Sequence, residues 1–295
     1  MNKPDNWQQR ARAQAELVLE RVLPAENSLP QRLHQAMRYA VLGGGKRLRP
    51  LLVLAAAEFG QSEAAAAEAA LAAVELVHVY SLVHDDMPAM DNDSLRRGKP
   101  TCHVQYDEAT ALLVGDALQT LAFDVLSRPN GLPAQRQLQM VHTLARASGS
   151  LGMAGGQAID LQSVGQHIGQ AELETMHRLK TGALIRAAVA LGALSCPDLD
   201  DAALARLDDY AAKLGLAFQV IDDVLDCEAD TATLGKTAGK DQEADKPTYV
   251  KLMGLNAARD YAERLVAEAQ QALSGFDARA DRLRQLAAFV TARRN

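Results

Sequence analysis

Two sets of aspartates carry the strongest chemical meaning in this chain: Asp85-Asp86 with Asp91, and Asp222-Asp223 with Asp226. Apolar residues at helical spacing precede each set, so each is expected at the C-terminal end of a long helix, where the backbone already carries partial negative charge. Carboxylates stacked there repel one another unless cations complete the site. Magnesium suits such a set, because it takes a few carboxylates, keeps some of its waters and draws its remaining ligands from phosphate oxygens. Asp222 and Asp226 are four apart, one helical turn, and share a face. Asp91 lies six residues beyond Asp85 with Pro88 between them. That proline interrupts the helix, so a loop must bring Asp91 back.

Basic residues stand on glycine-bearing segments around the acids. Gly43-Gly44-Gly45-Lys46-Arg47-Leu48-Arg49-Pro50 offers flexible backbone and three cations just before a helix start. It is not a nucleotide-binding P-loop: Ala40 stands where the first glycine should, Arg47 replaces the Ser or Thr that would reach magnesium, and residues 29–42 read as helix rather than strand. Arg96-Arg97-Gly98-Lys99 follows the first acidic set, and Gly235-Lys236-Thr237-Ala238-Gly239-Lys240-Asp241 follows the second. Cations on mobile loops suit phosphate capture and closure over a metal site, while plain solubilising charge is the alternative for any one of them. His78 lies two turns before Asp85 on the same helix face, where a packed core histidine and a ligand are both open.

The elements that must position these groups are helical. The chain has 295 residues, 48% of them hydrophobic and only 4% aromatic, and the apolar mass is Ala, Leu and Val at helical spacing. One all-α domain over residues 1–295 is expected, a bundle of packed helices. Helices are predicted near 6–23, 29–42, 50–59, 62–86, 105–127, 134–150, 171–192, 200–227, 245–273 and 277–293. The segment 62–86 would be a rod of roughly 37 Å, long enough to wall a cavity with chemistry at one end. The irregular stretches 87–104 and 228–245 each follow an acidic set directly.

A formal net charge of -6 argues against broad contact with nucleic acid or an acidic membrane face. Cys102, Cys196 and Cys227 are odd in number and widely spaced, which fits neither a disulfide framework nor a zinc site but does fit a reducing cytoplasm. No apolar stretch reads as a bilayer span, and the polar N-terminus reads as the lead into an amphipathic helix.

With these residues in place, the chain resembles the trans-isoprenyl diphosphate synthases of the bacterial farnesyl diphosphate synthase type. The resemblance runs over nearly the whole chain and rests on motifs in family order: G-G-K-R-x-R-P at 44–50, the acidic run through Arg96-Arg97-Gly98 at 85–98, Gly156-Gln157 to Asp160, Lys180-Thr181, Phe218-Gln219 to Asp226, and Gly235-Lys236 to Asp241. It implies a single-domain helical bundle around a deep central cavity, and a homodimer that condenses isopentenyl diphosphate head-to-tail with an allylic diphosphate, using magnesium, three ions per site. By that analogy Asp85, Asp91 and Asp222 hold the metal, with Asp86 and Asp226 supporting. Lys46, Arg49, His78 and Arg97 bind isopentenyl diphosphate. Arg96, Lys180, Lys236 and Lys246 bind the allylic diphosphate, and Thr181 and Gln219, with Lys180, face the reacting carbons.

The chemistry asks for positive charge at one end of a dry pocket to draw off the allylic diphosphate, and for the second double bond to be the nearest nucleophile. The released diphosphate is the expected base for the final proton, so no protein base is nominated. Product length should be set by the cavity floor. Tyr80, five residues before Asp85 and about 7.5 Å deeper along the helix, and Ser81, one turn beneath it, are the candidates, with ordinary core packing the alternative for the ring. Farnesyl diphosphate is the expected product and geranylgeranyl diphosphate the competitor. A class I terpene cyclase should lack the second D-D-x-x-D, and a non-catalytic partner subunit should lack a motif; neither departure is present.

Overall fold

The computed structural model describes residues 6–228 and 247–292, and α-helix dominates them. α1 (Trp7–Val22), α2 (Gln31–Val41) and α3 (Leu48–Ala57) lead to α4 (Ala64–Asp85). A two-residue hairpin, β1 (Leu95–Arg96) with β2 (Lys99–Pro100), and the short α5 (Cys102–Gln105) follow, then α6 (Glu108–Ser127), α7 (Ala134–Ser148) and α8 (Met153–Ser163). α9 (Gln170–His177) passes through a π-helical turn, Arg178–Gly182, into α10 (Ala183–Leu194). α11 (Asp201–Glu228), α12 (Tyr249–Met253), α13 (Leu255–Ala272) and α14 (Asp281–Ala292) complete the described chain. The all-α class read from composition and periodicity is the class the chain adopts.

α4 shows why the molecule closes around one rod. Its residues are apolar on every side, and a helix of that kind is stable only when neighbours cover it all round. α3, α6 and α10 do so. Ala66, Ala67, Ala70, Ala72 and Ala73 are buried along it, and their small side chains let those neighbours come close. Its 22 residues extend roughly 33 Å. α6 begins on a side-chain cap, Asp107 Oδ1 accepting from the Thr110 amide at 2.7 Å, which fixes where the helix beside α4 starts. One continuous apolar core links α1 through α14.

Helix placement differs from the sequence reading at three points. The stretch after residue 150 contains α8, which glycines at 152, 155 and 156 disguise as irregular because glycine weakens helix propensity. The single helix expected over 171–192 is two helices joined through the π-turn. The one expected over 245–273 is divided at Gly254, whose φ of 84° ends α12. By length and composition α4 and α6 could each cross a membrane, which amends the expectation of no such stretch. Of α4's apolar window 78% is buried inside the protein, as in a core helix, and of α6's 39%.

Candidate active site

α4 stops at the first acidic set, and the chain folds back at once. The Asp91 amide donates to the Asp85 carbonyl at 2.8 Å and the Asp93 amide to the Asp86 carbonyl at 3.1 Å, so the loop forced by Pro88 returns Asp91 over the helix end. The two leading aspartates then take different surroundings. Asp85 lines a cavity of about 380 Å³. Burial, reinforced by Asp91 and Asp86 and opposed by Lys180, pushes its carboxyl up to about 6. Asp86 is 3% exposed and accepts from Arg96 Nε at 2.8 Å through both oxygens. Burial raises its carboxyl as well, against the pull of that guanidinium.

The hairpin aims the two arginines in opposite directions. Arg97 and Gly98 both have positive φ, 54° and 73°, the backbone of a tight two-residue turn. Arg96 therefore points to Asp86, with Asp93 at 3.6 Å, while Arg97 donates to the Gly44 carbonyl. A side chain at Gly45 (φ 136°) would collide with that guanidinium, its Cβ 2.7 Å from Arg97 Cζ. The hairpin thus ties the basic glycine loop to the acidic end of α4.

α11 carries the second set within its last turns. Asp222 and Asp226 line a cavity of about 720 Å³ together with Lys46, Arg49, His78, Arg96 and Arg97. Asp223, on another face, is 5% exposed and accepts from the Tyr249 amide at 2.9 Å and from Gln219 Nε2 at 3.2 Å. Gln219 in turn accepts from the Thr181 hydroxyl at 2.9 Å. The chain Asp223–Gln219–Thr181 fixes the orientation of the threonine.

Lys180 and Thr181 sit on the π-turn, a wider coil that displaces them from the helical register. α8 packs directly against it at a glycine: a Cβ at Gly156 would fall 2.1 Å from the Lys180 backbone nitrogen. One turn further along α8, buried Asp160 receives Lys180 Nζ at 2.5 Å. Arg49, His78, Leu82 and Thr181 line both cavities, so the two spaces meet at those side chains. Tyr80 and Ser81 lie in the smaller one, below Asp85, and the Tyr80 ring meets His84 edge-on at 5.9 Å.

The electrostatics of the junction suit two anions. Burial and four neighbouring arginines, Arg49, Arg97, Arg96 and Arg47, hold His78 well below its ordinary value, so it stands there as a neutral imidazole. Burial also lowers Arg49, and its Nε is buried without a hydrogen-bond partner, as are both amide atoms of Gln157 across the smaller cavity. Orphaned polar atoms of this kind, two donors and one acceptor, call for partners from outside the chain. Among the described residues no three acidic, histidine or cysteine side chains stand close enough to ligate one ion alone. The carboxylates of Asp85, Asp222 and Asp226 are hard oxygen donors, and with phosphate oxygens and waters they would make up the kind of ligand set magnesium takes.

Of the residues singled out from sequence, Lys46, Arg49, His78, Arg96, Arg97, Thr181, Asp222 and Asp226 meet at the larger cavity, and Tyr80, Ser81, Asp85, Lys180 and Thr181 at the smaller. Gln219 stands behind Thr181, Asp91 over Asp85, and Asp86 against Arg96. Lys236 and Lys246 lie outside the described residues. Asp160, Gln157 and Glu75 were given no role from sequence. The first two sit in the motif that opens at Gly156, and Glu75 stands one turn before His78, the signal that could have marked it.

The family model described as polyprenyl synthetase matches residues 30–283. Farnesyl diphosphate synthase of Escherichia coli K12 is 54% identical over 241 residues, covering 81% of each chain. Farnesyl diphosphate synthase of Haemophilus influenzae is 47% identical over 266 residues, 89% of each. The solved structure of a geranyltransferase from Helicobacter pylori, complexed with magnesium and isoprenyl diphosphate, superimposes with a TM-score of 0.86 at 32% identity, covering 99% of this chain and 98% of that one. A match of this extent, over a site of this geometry, places the chain in the polyprenyl synthetase family.

Proposed function

We propose that this chain condenses isopentenyl diphosphate with dimethylallyl diphosphate and then with geranyl diphosphate to give (2E,6E)-farnesyl diphosphate. The observation that carries the reading is the meeting of two cavities at Thr181, one under Asp85 and Lys180, the other walled by Lys46, Arg49, His78 and Arg97. Each cavity has its own cations, and the atoms that react must lie where the two touch.

The allylic substrate places its tail in the smaller cavity, toward Tyr80 and Ser81, and its diphosphate between Lys180 at that cavity and Arg96 at the larger one. Lys236 and Lys246, outside the described residues, are assigned to the same diphosphate by the family resemblance. Isopentenyl diphosphate enters the larger with its diphosphate on Lys46, Arg49 and Arg97, and neutral His78 supplies a further hydrogen bond. Asp85 and Asp91 on one side and Asp222 on the other hold magnesium, three ions per site, with Asp86 and Asp226 in support. When bound, the metal supplies the concentrated positive charge that stabilises a departing diphosphate. Lys180 adds to it from the π-turn, held in place by Asp160. As the allylic carbon–oxygen bond breaks, apolar walls keep water away and the isopentenyl double bond is the nearest source of electrons. Thr181 lies beside the reacting carbons, and Gln219, expected there from the resemblance, stands behind it and sets its orientation. A proton then leaves the new cation for the released diphosphate.

Tyr80 is 8% exposed and stands in the tail cavity, which supports its role as the floor. Removing the ring in Tyr80→Ala should shift products of dimethylallyl and isopentenyl diphosphates from fifteen carbons toward twenty, read by chromatography. Unchanged product length would reject the floor assignment. The proposal also includes a homodimer and a cytoplasmic location. The purified chain with both substrates and magnesium should make farnesyl diphosphate. No product at all would count against the whole reading, and cyclised product without isopentenyl diphosphate would point to a cyclase.

A further inference from the structure

Arg47 lies between Lys46 and Arg49, two of the cations assigned to isopentenyl diphosphate, and although it borders the larger cavity its guanidinium is taken up by partners within the protein. It is 3% exposed, and its Nε and one terminal nitrogen donate to the two oxygens of Glu16 on α1 at 2.7 and 3.0 Å. The other terminal nitrogen donates to Glu75 on α4 at 2.7 Å, and a further bond reaches the Val41 carbonyl at the end of α2 at 2.7 Å. Its backbone is left-handed, φ 51°, at the position that caps α3. An L-residue holds that conformation only when its surroundings compel it. One guanidinium thus bolts the basic loop to three helices.

We propose that Arg47, with Glu16 and Glu75, is a positioning latch that sets Lys46 and Arg49 for the diphosphate of isopentenyl diphosphate. The inference rests on the reading of the larger cavity given above. Fixing the Arg47 side chain from three directions fixes the backbone there, with Lys46 the residue before it and Arg49 two residues after, in the first turn of α3. Glu75 ties the same loop to α4 one turn before His78, so the isopentenyl end stays in register with the acidic end of that helix. The charges agree. Two carboxylates against one guanidinium leave one negative charge over, and Glu75 exerts it on Arg49 and Arg97, which would otherwise repel each other across the empty cavity.

Glu16 provides the decisive variant, because it lines neither cavity and both of its oxygens accept from Arg47. Glu16→Gln should raise KM for isopentenyl diphosphate by about fivefold or more, with kcat and KM for geranyl diphosphate changed by less than about twofold. Arg47→Lys keeps the charge but loses the fork, and should move the same constant further. Combining the two should add little, since both open one latch. A Glu16→Gln enzyme that melts earlier with KM for isopentenyl diphosphate unchanged would overturn the proposal, as would a parallel change in kcat and both KM values. Lys46→Ala separates this failure from failure of the site itself. If it too leaves KM for isopentenyl diphosphate unmoved, the assignment of the cavity falls, and the latch with it.

Discussion

The acidic end of α4 and the acidic turns of α11 use their aspartates in parallel, but by different local means. In each set the first aspartate faces a cavity and the second is buried and spent on structure: Asp86 on Arg96, Asp223 on the Tyr249 amide and Gln219. α4 ends at its set, and Asp91 returns through a hydrogen-bonded loop. In α11 the partner of Asp222 is Asp226, one turn on in the same helix. The first set is therefore a loop device, rigid only if its anchor holds the hairpin, and the second is a helix device whose geometry comes with the backbone. Its anchor instead orients Thr181 and the start of α12. One motif, read twice in the sequence, performs two kinds of positioning.

Exchanging charge at the leading positions is the harshest test of that parallel. Asp85→Asn and Asp222→Asn should each lower kcat by about a thousandfold or more at saturating substrates and magnesium, because each removes charge that the metal-assisted departure of diphosphate needs. Neither should lose its fold, since an amide replaces a carboxylate of the same shape. If one variant keeps near-full activity, that helix is not a metal wall and the two sets are not equivalent.

Removing the anchors should act on stability first. Asp223→Ala leaves the buried Tyr249 amide and the Gln219 side chain without their acceptor, a loss of about 2–3 kcal/mol in urea unfolding. Asp86→Ala should lose less, about 1–2 kcal/mol, because Arg96 is 28% exposed and also has Asp93 within reach. Equal losses would mean that the hairpin depends on Asp86 as firmly as α12 depends on Asp223, and the distinction between loop device and helix device would fail.

Much of this was legible in the residues, for definite reasons. Pro88 between Asp85 and Asp91 dictates a returning loop, and the spacing of Asp222 and Asp226 dictates a shared face, since both follow from local backbone rules. Fold class was legible because the Ala, Leu and Val of α4 keep helical spacing for its full length. What stayed hidden depends on contacts between distant segments. The π-turn at Arg178–Gly182 has no local signature, and it is a long-range contact, Gly156 against the Lys180 backbone, that shows why α8 must carry glycine there. The division of labour within each pair, leading aspartate to the cavity and second to an anchor, also depends on partners ten residues away for Asp86 and twenty-six for Asp223. Identical neighbouring letters cannot reveal it.

The smallest expected effect bears on Asp85 alone and turns the comparison into a pH dependence. Its carboxyl lies at about 6 in the folded protein, raised chiefly by burial, against about 4 in an unfolded chain. Between those values the folded state binds more protons than the unfolded, so stability must fall as pH rises through the window. The penalty is absent below about pH 4 and complete above about pH 6. Solvent at the partly exposed carboxyl trims its size to about 1–2 kcal/mol. Asp85→Asn removes it, so without metal the inactive variant should be the more stable protein at pH 8, and the advantage should vanish by pH 4. The melting-temperature difference between variant and parent, followed across that range without divalent cations, gives the answer. A flat difference would mean that Asp85 is as well solvated as a surface acid, and that the end of α4 holds no unbalanced charge for a cation to relieve.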